Sequence, residues 1–397
     1  MNPRRRACWL ALSAPLGPLA ARAASDDDHV AAQRVLRFPR DHGAHPGARI
    51  EWWYVTGWLT SNKGDMPITD IKREQLIGFQ ITFFRSRTGL AADLPGRLAP
   101  RQLLFAHAAV SDLASGRHRH AQRIGRWSGQ ATTPGLAPTT AATPTPALAS
   151  TSASASAAVD DLRVRLAAWR IERTSAVDGK GPADTYRARV AAPEAGFTLD
   201  LQLSATQPLL RQGGSGFSQQ GPLPHASHYV THPQLAARAQ LVLDGRAQAL
   251  QGQAWFDHEW SDSLLPPGAV GWDWIGINLA DGGALTAFVM RAADGRGLWA
   301  GGSHRSGGGA LQVFLPNQVR FTPQRQWTSA VSGATYPVQW RIDTPAGSHV
   351  LEALLDAQEL DSRGSTGSAY WEGLSERREE GSLRSRGRNC GNNRTEP

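Results

Sequence analysis

The chain has 397 residues, 41% of them apolar, and a formal charge of +8 at pH 7; that is enough apolar material for a sizeable core, most simply split over two domains. The positive excess is scattered, as in "RHRHAQRIGR" and "RLAAWRIER", and part of it sits at the two ends, which argues against a nucleic-acid binder and for solvated strand faces. The only cysteines are Cys8 and Cys390, so a disulfide framework is excluded.

Residues 1–24 read as a secretory signal peptide. "MNPRRR" is a cationic head, "ACWLALSAPLGPLAA" is a short apolar run broken by Pro15 and Pro18, and Ala21-Arg22-Ala23 offers a small-x-small cleavage site. The run is too short for a membrane span, so the expectation is an exported periplasmic or secreted protein, not an integral membrane protein. The Sec route is expected; the paired arginines also suit a twin-arginine exporter.

From residue 50 onward strand signals dominate. "IEWWYVTGWLT", "QLIGFQITFFRS", "RQLLFAHAAVSD", "FTLDLQLSA", "AQLVLDG", "LQGQAWFDHEW", "GWDWIGINLADG" and "ALTAFVMRAADG" are rich in aromatic and branched residues and are punctuated by turn formers. No amphipathic helix of four turns is apparent. Many short strands predict sandwiches or closed barrels. "EWWYVTGWL" followed by "IGFQITFFR" resembles "WDWIGINL" followed by "LTAFVMR", each pair ending in an arginine, Arg85 or Arg291, as two related barrels in tandem would. The first barrel is expected over 30–230, with a low-complexity insertion at 128–158 that cannot order itself. The second is expected over 231–377, after a Gly- and Pro-bearing boundary. The arginine-rich tail 378–397 is expected to be disordered.

"FDHEWSD" (256–262) carries the densest chemistry. Strand alternation puts Trp255, Asp257 and Glu259 on one face and Phe256, His258 and Trp260 on the other. If the acid face lines a pocket, Asp257 and Glu259 form a carboxylate pair whose burial leaves one as a general acid. If the other face does, His258 is a lone polar group among rings; the same residues also read as a structural hydrogen-bond network. The histidines fit no metal-ligand spacing, and no nucleophile elbow, Walker A or dinucleotide motif is present. Trp52, Trp53, Tyr54, Trp272 and Trp274, from a complement of 14 tryptophans, suit a ring-lined concavity for a greasy small molecule or an ordinary barrel core.

Taken in order, "HPGARIEWWYVTGWL", "IGFQITFFR", "LLFAHAAVSD" with "GRHRHAQRIGR", "HYVTHPQL", "GQAWFDHEWSD", "GWDWIGINLADG" and "YWEG" resemble the AttH-like and carotenoid 1,2-hydratase family, often labelled predicted secreted hydrolases. The resemblance implies an all-β fold of two tandem lipocalin-like antiparallel barrels and a cofactor-free, metal-free activity in which a buried acid protonates an alkene and aromatic rings stabilise the cation. Carried over, Asp257, His258 and Trp260 would be the acid, its partner and the cation-facing ring, with Glu259 beside them. Trp272, Asp273 and Trp274 would line the same pocket, and Glu51, Trp52, Trp53, Tyr54 and His107 would approach it from the first barrel.

Two features depart from the family. No ionisable group precedes Arg291 on "ALTAFVMR", which places the chain nearer the exported branch than the carotenoid hydratases. The polar tail replaces a closing strand, which would leave the second barrel with two open edges. The reading is therefore an exported protein that takes up an apolar isoprenoid- or lipid-like molecule and hydrates, hydrolyses or cyclises it. The alternative is a non-catalytic carrier of such a ligand, serving an envelope ABC transporter.

Overall fold

The computed structural model describes residues 28–61, 71–89, 101–129, 154–175, 184–379 and 387–389. The expected signal peptide lies outside them, as do most of the expected insertion and most of the tail. The first half contains β1 (Ile50–Thr60), β2 (Leu76–Arg87), β3 (Gln102–Asp112), β4 (Arg117–Trp127), β5 (Ala155–Ala157), β6 (Arg163–Leu166), β7 (Trp169–Ser175), β8 (Asp184–Ala192) and β9 (Phe197–Ser204). Two short strands, β10 (Leu210–Arg211) and β11 (Phe217–Gln219), precede the long hairpin of β12 (Ala226–Leu243) and β13 (Arg246–Ser261). The second half contains β14 (Gly271–Asn278), β15 (Ala284–Arg291), β16 (Gly297–Arg305), β17 (Leu311–Phe314), β18 (Arg320–Thr328), β19 (Thr335–Thr344) and β20 (Gly347–Ala353). It ends with β21 (Glu359–Asp361), β22 (Ala369–Trp371), β23 (Ser375–Glu379) and β24 (Gly387–Asn389).

These strands build two lipocalin-like β-barrels. The first is a 13-stranded antiparallel sheet in the order β4-β3-β2-β1-β13-β12-β9-β8-β7-β6-β5, with β10 and β11 paired to β12; β5 and β6 return against β4 and nearly close it. Period-two patterning explains its core. In β9, Phe197, Leu199, Leu201 and Leu203 are buried while Asp200 and Gln202 are exposed. The second barrel encloses Ile275, Leu285, Ala287, Trp340, Ile342 and Leu351 between the sheets β14-β15-β16-β17 and β18-β19-β20-β23-β24. Among the described residues no helix is long and apolar enough to cross a membrane.

Three boundaries differ from the sequence reading. β12 runs unbroken across the expected 230/231 boundary, pairing with β9 on one side and β13 on the other. The first barrel therefore extends to Ser261. The Gly- and Pro-bearing stretch that resembled a linker instead folds back as β10 and β11 onto β12. Within the expected insertion, residues 155–157 form β5 and pair with β6. In the tail, residues 387–389 add a strand beside β23 that lies against β14, so the second barrel gains an element on the side where an open edge was expected.

The feature that positions the site is the outer face of β3-β2-β1-β13-β12. In most half-solvated sheets this face would be polar and wet. Here the second barrel covers it, so β1 buries Trp53, Val55 and Leu59 inward and Tyr54, Thr56 and Trp58 on the opposite side.

Candidate active site

β13 lies between β1 and β12, and its register sets every neighbour of the "FDHEW" residues. Asp257 stands opposite Tyr54 on β1 and Thr231 on β12; Glu259 stands opposite Trp52 and Tyr229. Asp257 and Glu259 point out of the first barrel, toward the second. They face a cavity of ≈ 60 Å³ whose walls are Trp52 and Tyr54 from β1, Thr82 and Phe84 from β2, Tyr229 from β12, Trp272 and Trp274 from β14, and Glu372 just after β22. A smaller cavity of ≈ 30 Å³ adjoins it through the shared Glu259, Trp272 and Trp274 and is bounded by Leu264, Phe288 and Met290. Gly276 makes room for this ring cluster. A Cβ there would lie 2.5 Å from the Trp274 ring and 2.8 Å from the Trp255 ring. Tyr54 meets Trp274 edge-on at 5.9 Å between centroids, and Trp274 Nε1 donates to the Tyr229 hydroxyl at 3.1 Å.

Both acids are buried, and among the described residues neither carboxylate forms an ion pair with a cationic side chain. Burial pushes the Asp257 carboxyl up to about 7, against hydrogen bonds that lower it, including the Thr231 hydroxyl at 2.7 Å. Burial, with the charge of Asp257 added, pushes Glu259 up to about 8, although the Gln220 amide donates to it at 2.5 Å. Burial and then the neighbouring Glu372 and Asp257 charges hold the Tyr54 phenol well above its ordinary value. The Thr231 hydroxyl in turn accepts from Gln212 at 2.9 Å, and the same Gln212 amide reaches Thr286 on β15 at 3.0 Å. This chain fixes Asp257 relative to the second barrel. Gln80, in the amide orientation that satisfies both groups, donates to the two oxygens of Glu372 at 2.7 and 2.8 Å.

The opposite face of β13 carries a different assembly. His258 Nε2 donates to Glu51 Oε1 at 2.9 Å, His45 Nδ1 lies 2.7 Å from the same oxygen, and Arg85 Nε donates to Glu51 Oε2 at 2.7 Å. Against burial, which raises it, the Arg85 guanidinium and the two histidines hold the Glu51 carboxylate well below its ordinary range. His258 stacks on Trp53 at 5.1 Å, and His45 stacks on Trp260 at 3.7 Å. Ligand atoms of His45, Glu51 and His258 lie within 4.8 Å of one another, a grouping able to hold a metal ion. Glu51, however, also accepts two bonds from the His45 backbone N–H, and Arg85 already supplies the positive charge there. The arrangement is that of a buried ion-pair network centred on Glu51, in which His258 Nδ1 has no hydrogen-bond partner among the described residues.

The sequence matches the AttH-like family over residues 29–388. The chain belongs to the AttH-like family. No protein of curated function matches it. Among solved structures, an AttH-type protein from Nitrosomonas europaea is similar at 38% identity and TM-score 0.74, over 92% of this chain and 98% of that one. Kievitone hydratase from Nectria haematococca is similar at 14% identity and TM-score 0.60, over 92% and 93% of the two chains. CghA with Sch210972 follows at 13% identity and TM-score 0.53, over 93% and 97%. The last two likenesses concern the fold alone.

In this AttH-like chain the structure brings Asp257, Glu259, Trp52, Tyr54, Trp272 and Trp274 to one cavity. It does not bring the others there. His258 and Trp260 cannot serve as partner and cation-facing ring to Asp257, because alternation along β13 turns them into the first barrel with Glu51 and Trp53. Asp273 points away from its two tryptophan neighbours into the second barrel, paired with Arg291 at 3.0 Å. His107 bonds to the Tyr370 hydroxyl at 2.8 Å and to Ser365 at 2.9 Å, holding the β21–β22 segment onto the first barrel. Tyr229, Glu372 and Phe84 are wall residues that the sequence reading gave no role. All three sit in quoted motifs, "IGFQITFFR", "HYVTHPQL" and "YWEG", but only the fold reveals that they converge.

Proposed function

We propose that the cavity between the barrels binds an apolar, isoprenoid- or lipid-like molecule, and that Asp257, with Glu259 beside it, acts on it as a Brønsted acid in a cofactor-free hydration or cyclisation. The observation that carries this reading is a pair of buried carboxyls on one strand face, both raised to neutral pH or above, opening onto a wall of indole and phenol rings. A carboxyl that keeps its proton at pH 7 is a donor, not merely a charge. Its proton passes to an alkene carbon; the resulting cation is stabilised by Trp52, Trp272 and Trp274; water attacks the cation, and the proton it releases returns to the carboxylate. In a cyclisation, a second double bond attacks in place of water, and the new cation loses a proton from an adjacent carbon to the carboxylate, forming a double bond and restoring the acid.

The free volume is well below the roughly 300 Å³ of ordinary ligand sites, so binding requires the 262–270 connection to yield; its Leu264 is 47% exposed and bounds the smaller cavity. Kievitone hydratase, by its name a hydratase, shares the fold, which supports water addition as the reaction class. Residues 1–24 support export by the Sec or twin-arginine route. The second reading, a carrier working with an envelope ABC transporter, uses the same cavity and rests on its aromatic lining. Native mass spectrometry of protein from its own host, as wild type and as Asp257→Asn, separates the two. Catalysis predicts a hydrated or cyclised product from the wild type and its unconverted precursor from the variant. The same molecule recovered from both would favour the carrier.

A further inference from the structure

The second barrel contains a larger cavity that the reading above does not use. It measures ≈ 750 Å³, more than ten times the cavity at Asp257, and falls within the roughly 300–1,000 Å³ typical of small-molecule sites. Strand β14 separates the two: Trp272 and Trp274 face one, Asp273 the other. The inner walls are apolar. Val289, Ala300 and Trp340 are buried, and Phe321 meets Trp340 edge-on at 5.6 Å.

Its charges are graded with depth. Asp273 and Arg291 pair at the floor, with side chains 1% and 18% exposed, and offset one another. Arg296 and Arg320 stand at the mouth and are exposed. Asp273 is the sole acid among the lining residues, so the lining carries a positive surplus located at the rim. The acids near that rim hold it weakly or are engaged elsewhere. Asp294 lies 3.9 Å from Arg296 with both side chains about two-thirds exposed, and Asp343, opposite Arg320, is shared: it accepts from Ser348 and Arg341 and feels the Arg320 charge less than either.

We propose that this lumen is a second binding site, separate from the Asp257–Glu259 cavity, for an amphiphile with one anionic head. The apolar body lies against Val289, Phe321 and Trp340, and the carboxylate sits at the mouth by Arg296 and Arg320. An uncharged amphiphile of the same length gains only the apolar contacts, and a cationic one meets the rim charge.

The probe is cis-parinarate, a polyene carboxylate that fluoresces when removed from water, titrated into the full-length mature protein. Saturable binding is expected, displaced by dodecanoate at least tenfold more readily than by dodecanol. The exposed pair Arg296→Glu/Arg320→Glu keeps the fold and weakens parinarate binding at least tenfold, with most of the wild type's salt dependence lost. Val289→Trp, which fills the inner wall, removes binding, whereas Trp272→Ala leaves it unchanged. Absence of saturable binding overturns the proposal. So does binding that survives the arginine reversals and Val289→Trp but disappears in Trp272→Ala, because that places the ligand between the barrels.

Discussion

Replacing Asp257 with asparagine tests the electrostatic core of the proposed chemistry through stability alone. In the unfolded chain the carboxyl titrates near its ordinary 3.8; in the folded protein burial raises it to about 7. Below pH 4 both states hold the proton and the site costs nothing. Between pH 4 and 7 the folded state binds the extra proton, so stability falls as pH rises, and above pH 7 the penalty is fully present. At 1.36 kcal/mol per pH unit, a rise from 3.8 to about 7 corresponds to a penalty of about 4 kcal/mol. Asparagine keeps an acceptor for the Thr231 hydroxyl and cannot ionise. Denaturant midpoints of wild type and Asp257→Asn, compared at pH 5 and pH 9, should therefore diverge: a gain for the variant of about 1.7 kcal/mol at pH 5, where the unfolded carboxyl is already mostly ionised, and of about 4 kcal/mol at pH 9. A variant equally destabilised at both pH values would refute the reasoning and return Asp257 to the role of a hydrogen-bonded structural carboxylate.

The remaining predictions concern the surroundings. Turnover of a bound alkene should decline as pH rises through 7 to 8, where Asp257 and then Glu259 lose their protons; a rate flat from pH 5 to 9 excludes acid catalysis by this pair. Glu51→Ala strands the fully buried Arg85 guanidinium and should cost about 3–5 kcal/mol in unfolding free energy, while Glu51→Gln, which keeps acceptors, should cost less. His107→Ala removes both bonds to Tyr370 and Ser365; hydrogen exchange should show residues 359–371 opening more readily by about 1–3 kcal/mol with β1 and β2 unaffected. Gly276→Val drives a side chain into the Trp255 and Trp274 rings, and a melting-temperature drop reflecting roughly 1–3 kcal/mol of overpacking is expected, together with loss of ligand retention.

Much of this fold was legible because its signals are local. Aromatic and branched alternation marked the strands, and the tandem repeat held more than strand lengths: Arg85 pairs with Glu51 and Arg291 with Asp273, so each barrel places an arginine from the end of its second strand on an acid of its first. The boundary was not legible, since residues 211–225 have linker composition yet pair with β12 through β10 and β11. Nor was the inward face of "FDHEW". Period two separates Asp257 from His258 but does not say which one faces the cavity between the barrels when both faces of the strand are buried and both are rich in rings. Glu372 illustrates a further limit: it reaches the cavity only because the β21–β22 segment folds back over β2 and β3, a contact between residues far apart in the chain.

The most direct measurement is a pH-difference infrared titration of the protonated-carboxyl C=O stretch in wild type, Asp257→Asn and Glu259→Gln. The account predicts a band present at pH 6 that disappears through about 7 to 8, with a separate component missing in each variant. A spectrum without that band at pH 6, or one titrating near the ordinary carboxyl range, would contradict it, because neither acid would then hold a proton to give.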